Sequence, residues 1–277
     1  MRRCWMTVVL VLAFGTQVQA QRMITITPVV TTPDTVVTAD SVQLVMTWMA
    51  RGGTDSLLAP VAMLLPMMNH DRSSWHGLDS LLADQGFAVV SMDMRGHGAS
   101  AKRAGRPYKW KNFTDADFAG MAGDIGTVLS HGHTVAQRPV KKTRLDTLLA
   151  RADFGRVILI GASIGSSAAL VYAADHPEIA ALVMLSPGLN YRGIQTEPAM
   201  RCYGNRPVYL AAGSRDEASA LAVETLYALV KDSPPGVRRS AITANDRHGT
   251  DLFDVEPGIK VEIVSWLLQR LGLHVRE

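Results

Sequence analysis

The sequence is short of several things, and each shortage narrows what the protein can be. It has two cysteines, Cys4 and Cys202. Cys4 falls inside a leader-like start, so the mature chain keeps one cysteine and has no internal disulfide. No apolar run approaches the roughly 20 residues that a spanning helix needs. The one near the start, from Trp5 to Phe14, is about half of that. Charge of one sign is not in excess either. The formal net charge is +3 and falls to +1 once Arg2 and Arg3 are removed with the leader, which gives no general reason to expect a nucleic-acid partner. There is no internal repeat, no low-complexity tract and no linker. His70, Asp71 and His76 lack the spacing of a zinc site. Nothing calls for a cofactor or a metal.

What is present begins with a basic, apolar, small-residue stretch, "MRRCWMTVVLVLAFGTQVQA". This layout predicts a signal peptide at 1–20, cleavage after Ala20, and an exported chain, periplasmic or secreted, with no stable membrane insertion afterwards. Residues 21–40 are rich in Thr, Val and Pro and predict an extended lead-in or edge strand, since proline breaks a central ladder. Residues 41–277 then read as one domain. Apolar runs at 61–66, 87–93, 156–161, 179–187, 207–213 and 238–243 have the character of strands. Helical spacing fills 75–86, 114–130 (with Thr114 as cap), 143–154, 163–176, 216–231 and 260–271. Alternation of this kind predicts an α/β fold: a single doubly wound, mostly parallel sheet with helices on both faces.

Sheets of this kind bind ligands at the carboxyl ends of their strands. After "RVILIG" comes Gly161-Ala162-Ser163-Ile164-Gly165, a G-x-S-x-G turn between a strand and a helix. Glycines belong there because a side chain at either place would crowd the neighbouring strand or helix. A serine hydroxyl is a weak nucleophile and needs a base, and the base needs an orienting acid. Asp216 lies in the loop after 207–213, and His248 lies in the loop after 238–243. The other histidines beyond Ser163 are His176 and His274. His176 ends the serine's own helix, roughly 20 Å away at 1.5 Å per residue, and His274 follows the last helix. Asp93 suits a structural role in the "RGHG" turn, and Asp246 and Asp251 suit loop solvation or capping.

Four stretches, "GASIG", "GSRDE", "RHGTDLF" and "SMDMRGHGAS", resemble the α/β-hydrolase superfamily from about residue 40 onward. The likeness is to its bacterial branch of dienelactone-hydrolase-like and serine-aminopeptidase-like esterases. It implies Ser163 as nucleophile, His248 as base and Asp216 as its partner. Relatives carry a His-Gly pair after the strand that here reads "VAMLLP"; in this chain the pair falls on Pro66 and Met67. The expected oxyanion donors are then the backbone N–H groups of Met68 and Ile164. Asn69 and His70 are expected to line the substrate site.

The implied activity is hydrolysis of a small-molecule carboxylic ester. Peptidase, amidase or acyltransferase chemistry on the same three residues, and a catalytically silent binding protein, remain open at this point. Only 19 residues, 188–206, stand where relatives insert a lid, so no large lid is expected. Residues 101–111 pack five basic residues with Tyr108 and Trp110. They read either as a solvated loop or as a rim that attracts anions.

Overall fold

Strand alternation decides the architecture. The protein is seen here in a computed structural model that describes residues 28–52 and 58–274; the leader and its cleavage point lie outside the described residues. Eight strands form one sheet: β1 (Val29–Val37), β2 (Gln43–Arg51), β3 (Ala59–Leu65), β4 (Ala88–Met92), β5 (Ala152–Ala162), β6 (Ile179–Leu185), β7 (Val208–Gly213) and β8 (Arg238–Thr243). Their order is β1-β2-β4-β3-β5-β6-β7-β8. β2 runs antiparallel to both β1 and β4, and every other pair is parallel.

The helices are α1 (Leu78–Asp84), α2 (Asp115–Ala136), α3 (Arg144–Leu149), α4 (Ile164–Asp175), α5 (Thr196–Tyr203), α6 (Glu217–Leu229), α7 (Leu252–Val255) and α8 (Gly258–Arg270). The central strands are buried on both faces, so each feeds two cores with alternate residues. Leu159 of β5 joins residues of α2, α4, α5 and α6. Its neighbours Ile158 and Ile160 join those of α1 and α8. No helix of the described residues is long and apolar enough to cross a membrane.

Local sequence explains most boundaries. α2 starts on a capping box: the Thr114 hydroxyl accepts from the Asp117 N–H, and the Asp117 carboxylate accepts from the Thr114 N–H at 2.8 Å. Such a cap is worth about 1 kcal/mol. Of the lead-in, Val29–Val37 joins the sheet as β1, its outer strand, with Pro33 opposite Thr47 and only β2 as a neighbour.

The helix expected over 143–154 is a correction. α3 stops at Leu149, and β5 already begins at Ala152, because Ala152 and Asp153 pair with Ala59 and Pro60 of β3. A register shift between Pro60 and Val61 joins this early pairing to the rest of the strand. Residues 188–206 hold a two-residue-per-strand hairpin and α5, with no large lid.

Candidate active site

Five loops at the carboxyl ends of β3, β5, β6, β7 and β8 meet over the middle of the sheet. Ser163 sits on the turn between β5 and α4 with φ 52°, in the left-handed region that side chains avoid. The turn is held from several sides. The Ser163 N–H donates to the Leu185 carbonyl at 2.8 Å, and the Ser163 carbonyl accepts from the Ser166 hydroxyl at 2.6 Å. Both glycines of the motif are sterically required. A Cβ on Gly165 would stand 2.1 Å from the Leu65 carbonyl oxygen, and one on Gly161 would stand 2.4 Å from the Ser166 backbone.

The structure brings the three expected side chains together. The Ser163 hydroxyl lies 2.7 Å from His248 Nε2, and His248 Nδ1 lies 2.7 Å from Asp216 Oδ2. A carboxylate only accepts, so Nδ1 carries the proton and Nε2 presents its lone pair to the serine. The Asp216 side chain is mostly buried (15% exposed) while His248 remains open to solvent on one side (45%). Ser219, one turn into α6, stands with its hydroxyl 3.5 Å from His248 Nδ1, at the limit of hydrogen bonding.

Two further residues hold the histidine loop, and neither is evident in the sequence. Ser186, the residue after β6, is buried; its hydroxyl accepts from the Gly249 N–H at 2.8 Å, and its own N–H donates to Ala211 at 2.7 Å. Asn245 joins the two loops that carry Asp216 and His248. Its backbone carbonyl accepts from Arg215 at 2.9 Å and its side-chain oxygen accepts from the Arg247 N–H at 3.0 Å. Gly213 permits this approach, since a Cβ there would be 2.6 Å from Asn245. The only signal for Ser186 was its place at a strand end. Asn245 gave none.

Met68 and Ile164 both line the cavity above Ser163, which has a volume of about 600 Å³. Among the described residues, neither N–H is spent on a backbone carbonyl. The rest of the wall is largely apolar, with Pro187, Leu189, Tyr191 and Leu221. The Met68 loop is fastened to the "RGHG" turn through fully buried Asp93, in the structural role expected of it. Its carboxylate accepts from the N–H groups of Arg72 (2.8 Å) and Ala99 (2.7 Å) and pairs with the Arg72 guanidinium.

Asn69 and His70 stand apart from the three relay residues. Neither lines the cavity at Ser163; both face a neighbouring cleft. Asn69 adopts φ 62°, and the His70 ring turns back to hydrogen-bond the Met68 carbonyl at 3.1 Å. The left-handed step at Asn69 carries the chain out of the serine's cavity. Of His70, Asp71 and His76, only His76 joins a cluster with cation-binding side chains, Asp251 and Asp254, and its Nδ1 is already paired to Asp254 at 2.9 Å.

Comparison with known proteins bears on the fold. The family model of the alpha/beta hydrolase fold matches residues 63–204. The chain belongs to the α/β-hydrolase-fold family. No curated protein matches the chain in sequence. Among solved structures, it is similar to an esterase of Pyrococcus furiosus, with a TM-score of 0.63 at 18% identity, covering 86% of this chain and 90% of that one. A protein of Klebsiella pneumoniae assigned to the dienelactone hydrolases gives 0.63 at 14% identity, with coverage of 89% and 100%. A CIB-like hydrolase from Thermoplasma acidophilum gives 0.59 at 16%, with coverage of 87% and 99%. At these identities the likeness concerns the shared α/β-hydrolase fold, and activity has to be argued from the site itself.

Proposed function

We propose that this α/β-hydrolase-fold protein is a serine hydrolase that cleaves carboxylic esters through an acyl-enzyme on Ser163. The observation that carries the reading is the relay of 2.7 Å and 2.7 Å from Ser163 through His248 to Asp216, opening onto a cavity of about 600 Å³. His248 Nε2 takes the Ser163 proton as Oγ bonds to the carbonyl carbon. The resulting oxyanion is received by the N–H groups of Met68 and Ile164. His248 then gives its proton to the leaving alkoxide as the C–O bond breaks. Water, deprotonated by the same nitrogen, attacks the acyl-enzyme and releases the acid and Ser163. Asp216 fixes the imidazole tautomer and stabilises the imidazolium.

The apolar wall favours esters with an apolar part of small to medium size against it. The Pyrococcus furiosus neighbour's description as an esterase agrees with an ester as substrate. The pattern of residues 1–20 supports an exported protein. A panel of p-nitrophenyl esters, anilides and alcohol acceptors tests the reading. Ester hydrolysis is expected, with little anilide cleavage, and Ser163→Ala is expected to abolish it in folded protein. Asp216→Asn should lose on the order of 10⁴-fold in turnover. Anilides cleaved faster than esters, or an acyl group passed to the alcohol in preference to water, would replace esterase by one of the other chemistries.

A further inference from the structure

A second cleft, of about 460 Å³, adjoins the one at Ser163. One side of it is the basic stretch after the "RGHG" turn. Lys102–Arg103 pairs with Arg106–Pro107 in a small hairpin, and Lys109, Trp110 and Lys111 follow along the cleft. The opposite side is Asn69, His70 and Asp71, and His97 lies between. Met68 links the two linings by its contacts. Met68 lines the serine's cavity, its sulfur lies 3.2 Å from His97 Nε2, and its carbonyl meets His70 Nδ1 at 3.1 Å.

The basic side of the cleft is fixed in place. Trp110 stacks on the His97 ring with 5.6 Å between centroids and 4° between planes. Its N–H donates to the Gly96 carbonyl at 3.2 Å. Gly96 has φ +75°, and a Cβ there would stand 2.8 Å from the Trp110 nitrogen, so the close approach depends on glycine. His97 is itself anchored, with Nδ1–H donating to the Arg95 carbonyl at 2.9 Å. Burial holds His97 below its ordinary pKa, so the ring stays neutral in this wall.

The charges of the cleft are unbalanced. Of the five cations at 102–111, Arg103 pairs with Asp40 and Asp117. Among the described residues, neither Lys109 nor Lys111 has a carboxylate within ion-pair distance, and Lys111 lies 5.8 Å from the Trp110 ring centre. Asp71 is the acid of this cleft, and one of its oxygens is occupied by the Ser73 N–H at 2.9 Å and the Ser73 hydroxyl at 2.6 Å. Two lysines against one engaged carboxylate leave the lining of the cleft with an excess of positive charge. Among the described residues, no lysine or arginine lines the cavity at Ser163.

We propose that the cleft of Lys109, Trp110 and Lys111 is an anion subsite of the same active centre, and that the substrate is an ester bearing a carboxylate or phosphate on the part that passes over Met68. This rests on the ester-hydrolase reading of Ser163. The apolar part of such a substrate fills the cavity of Leu189 and Leu221, the scissile carbonyl sits at Ser163, and the anion reaches the lysines. Exposed ammonium groups act mainly by steering and by modest contact, so the gain is sensitive to salt.

The test compares matched esters on the full chain: phenyl butyrate with 4-carboxyphenyl butyrate, and p-nitrophenyl hexanoate with mono-p-nitrophenyl adipate. At least one anionic ester should exceed its neutral match in kcat/KM. In Lys109→Glu/Lys111→Glu the anionic-to-neutral ratio of that pair should fall by about tenfold or more. A ratio below one in both pairs, or a ratio unchanged by the double substitution, would overturn the subsite. If the wild type turns over none of the four, the ester reading fails, and the subsite is judged by calorimetric titration with succinate and inorganic phosphate. Binding that is lost in the double variant supports an anion site for a free ligand; absent or unaltered binding contradicts it.

Discussion

Ser186 shows how a residue outside the relay can govern it. It adopts φ 47°, is buried, and spends its hydroxyl on the N–H of Gly249, the neighbour of His248. Removing that oxygen leaves a buried donor unpaired, at a cost of about 1–3 kcal/mol, and frees the histidine loop to drift from Ser163. Ser186→Ala is therefore expected to lower kcat by about 10- to 100-fold with KM nearly unchanged, measured on a neutral p-nitrophenyl ester. An unaltered kcat would remove Ser186 from the account. At this scale the sequence was legible where chemistry is written locally. The serine motif marks itself, and strand-end order picked out Asp216 and His248. Ser186 and Asn245 act through loops brought together only by the sheet; Ser186 and Gly249 are 63 residues apart. Asn69 and His70 adjoin an expected oxyanion donor, yet one left-handed step at Asn69 turns them into the next cleft.

Among the elements, β1 is an edge strand with a proline in the middle and one strand neighbour. Asp34 pins it: its carboxylate accepts from His131 Nε2 of α2 at 2.9 Å, from Trp48 Nε1 of β2 at 3.2 Å and from the Thr35 N–H at 2.8 Å. Burial by itself would raise the Asp34 pKa, but the hydrogen bonds together outweigh it and hold the group below its ordinary value of 3.8. The sign follows from linkage. A depressed carboxylate stabilises the fold above its unfolded pKa, and that stabilisation is lost as the pH falls through the lower folded value. Asp34→Asn should lower Tm near neutrality, and the two Tm curves should converge as the pH drops from about 5 to about 2. Parallel curves would contradict this role. Most elements could be read from periodicity. The end of α3 could not, since pairing of Ala152 and Asp153 with β3 overrides the helical spacing that continues to Phe154.

At the scale of the molecule, the strand order places the ends of β3, β5, β6, β7 and β8 over one region of the sheet. The alternation of apolar runs and helical stretches was enough to foresee that arrangement, but not the second cleft, which depends on how the 101–111 segment folds back on His97. The central claim is that this assembly makes one hydroxyl, that of Ser163, reactive among all the serines of the chain. Intact-mass and peptide-mapping spectrometry after brief treatment with a fluorophosphonate measures this directly. A single adduct per chain is expected, on the peptide that contains Ser163, absent from Ser163→Ala and slow to form in His248→Ala. Folded protein that takes up no adduct, or takes it up on another residue at the same rate in Ser163→Ala, would contradict the account.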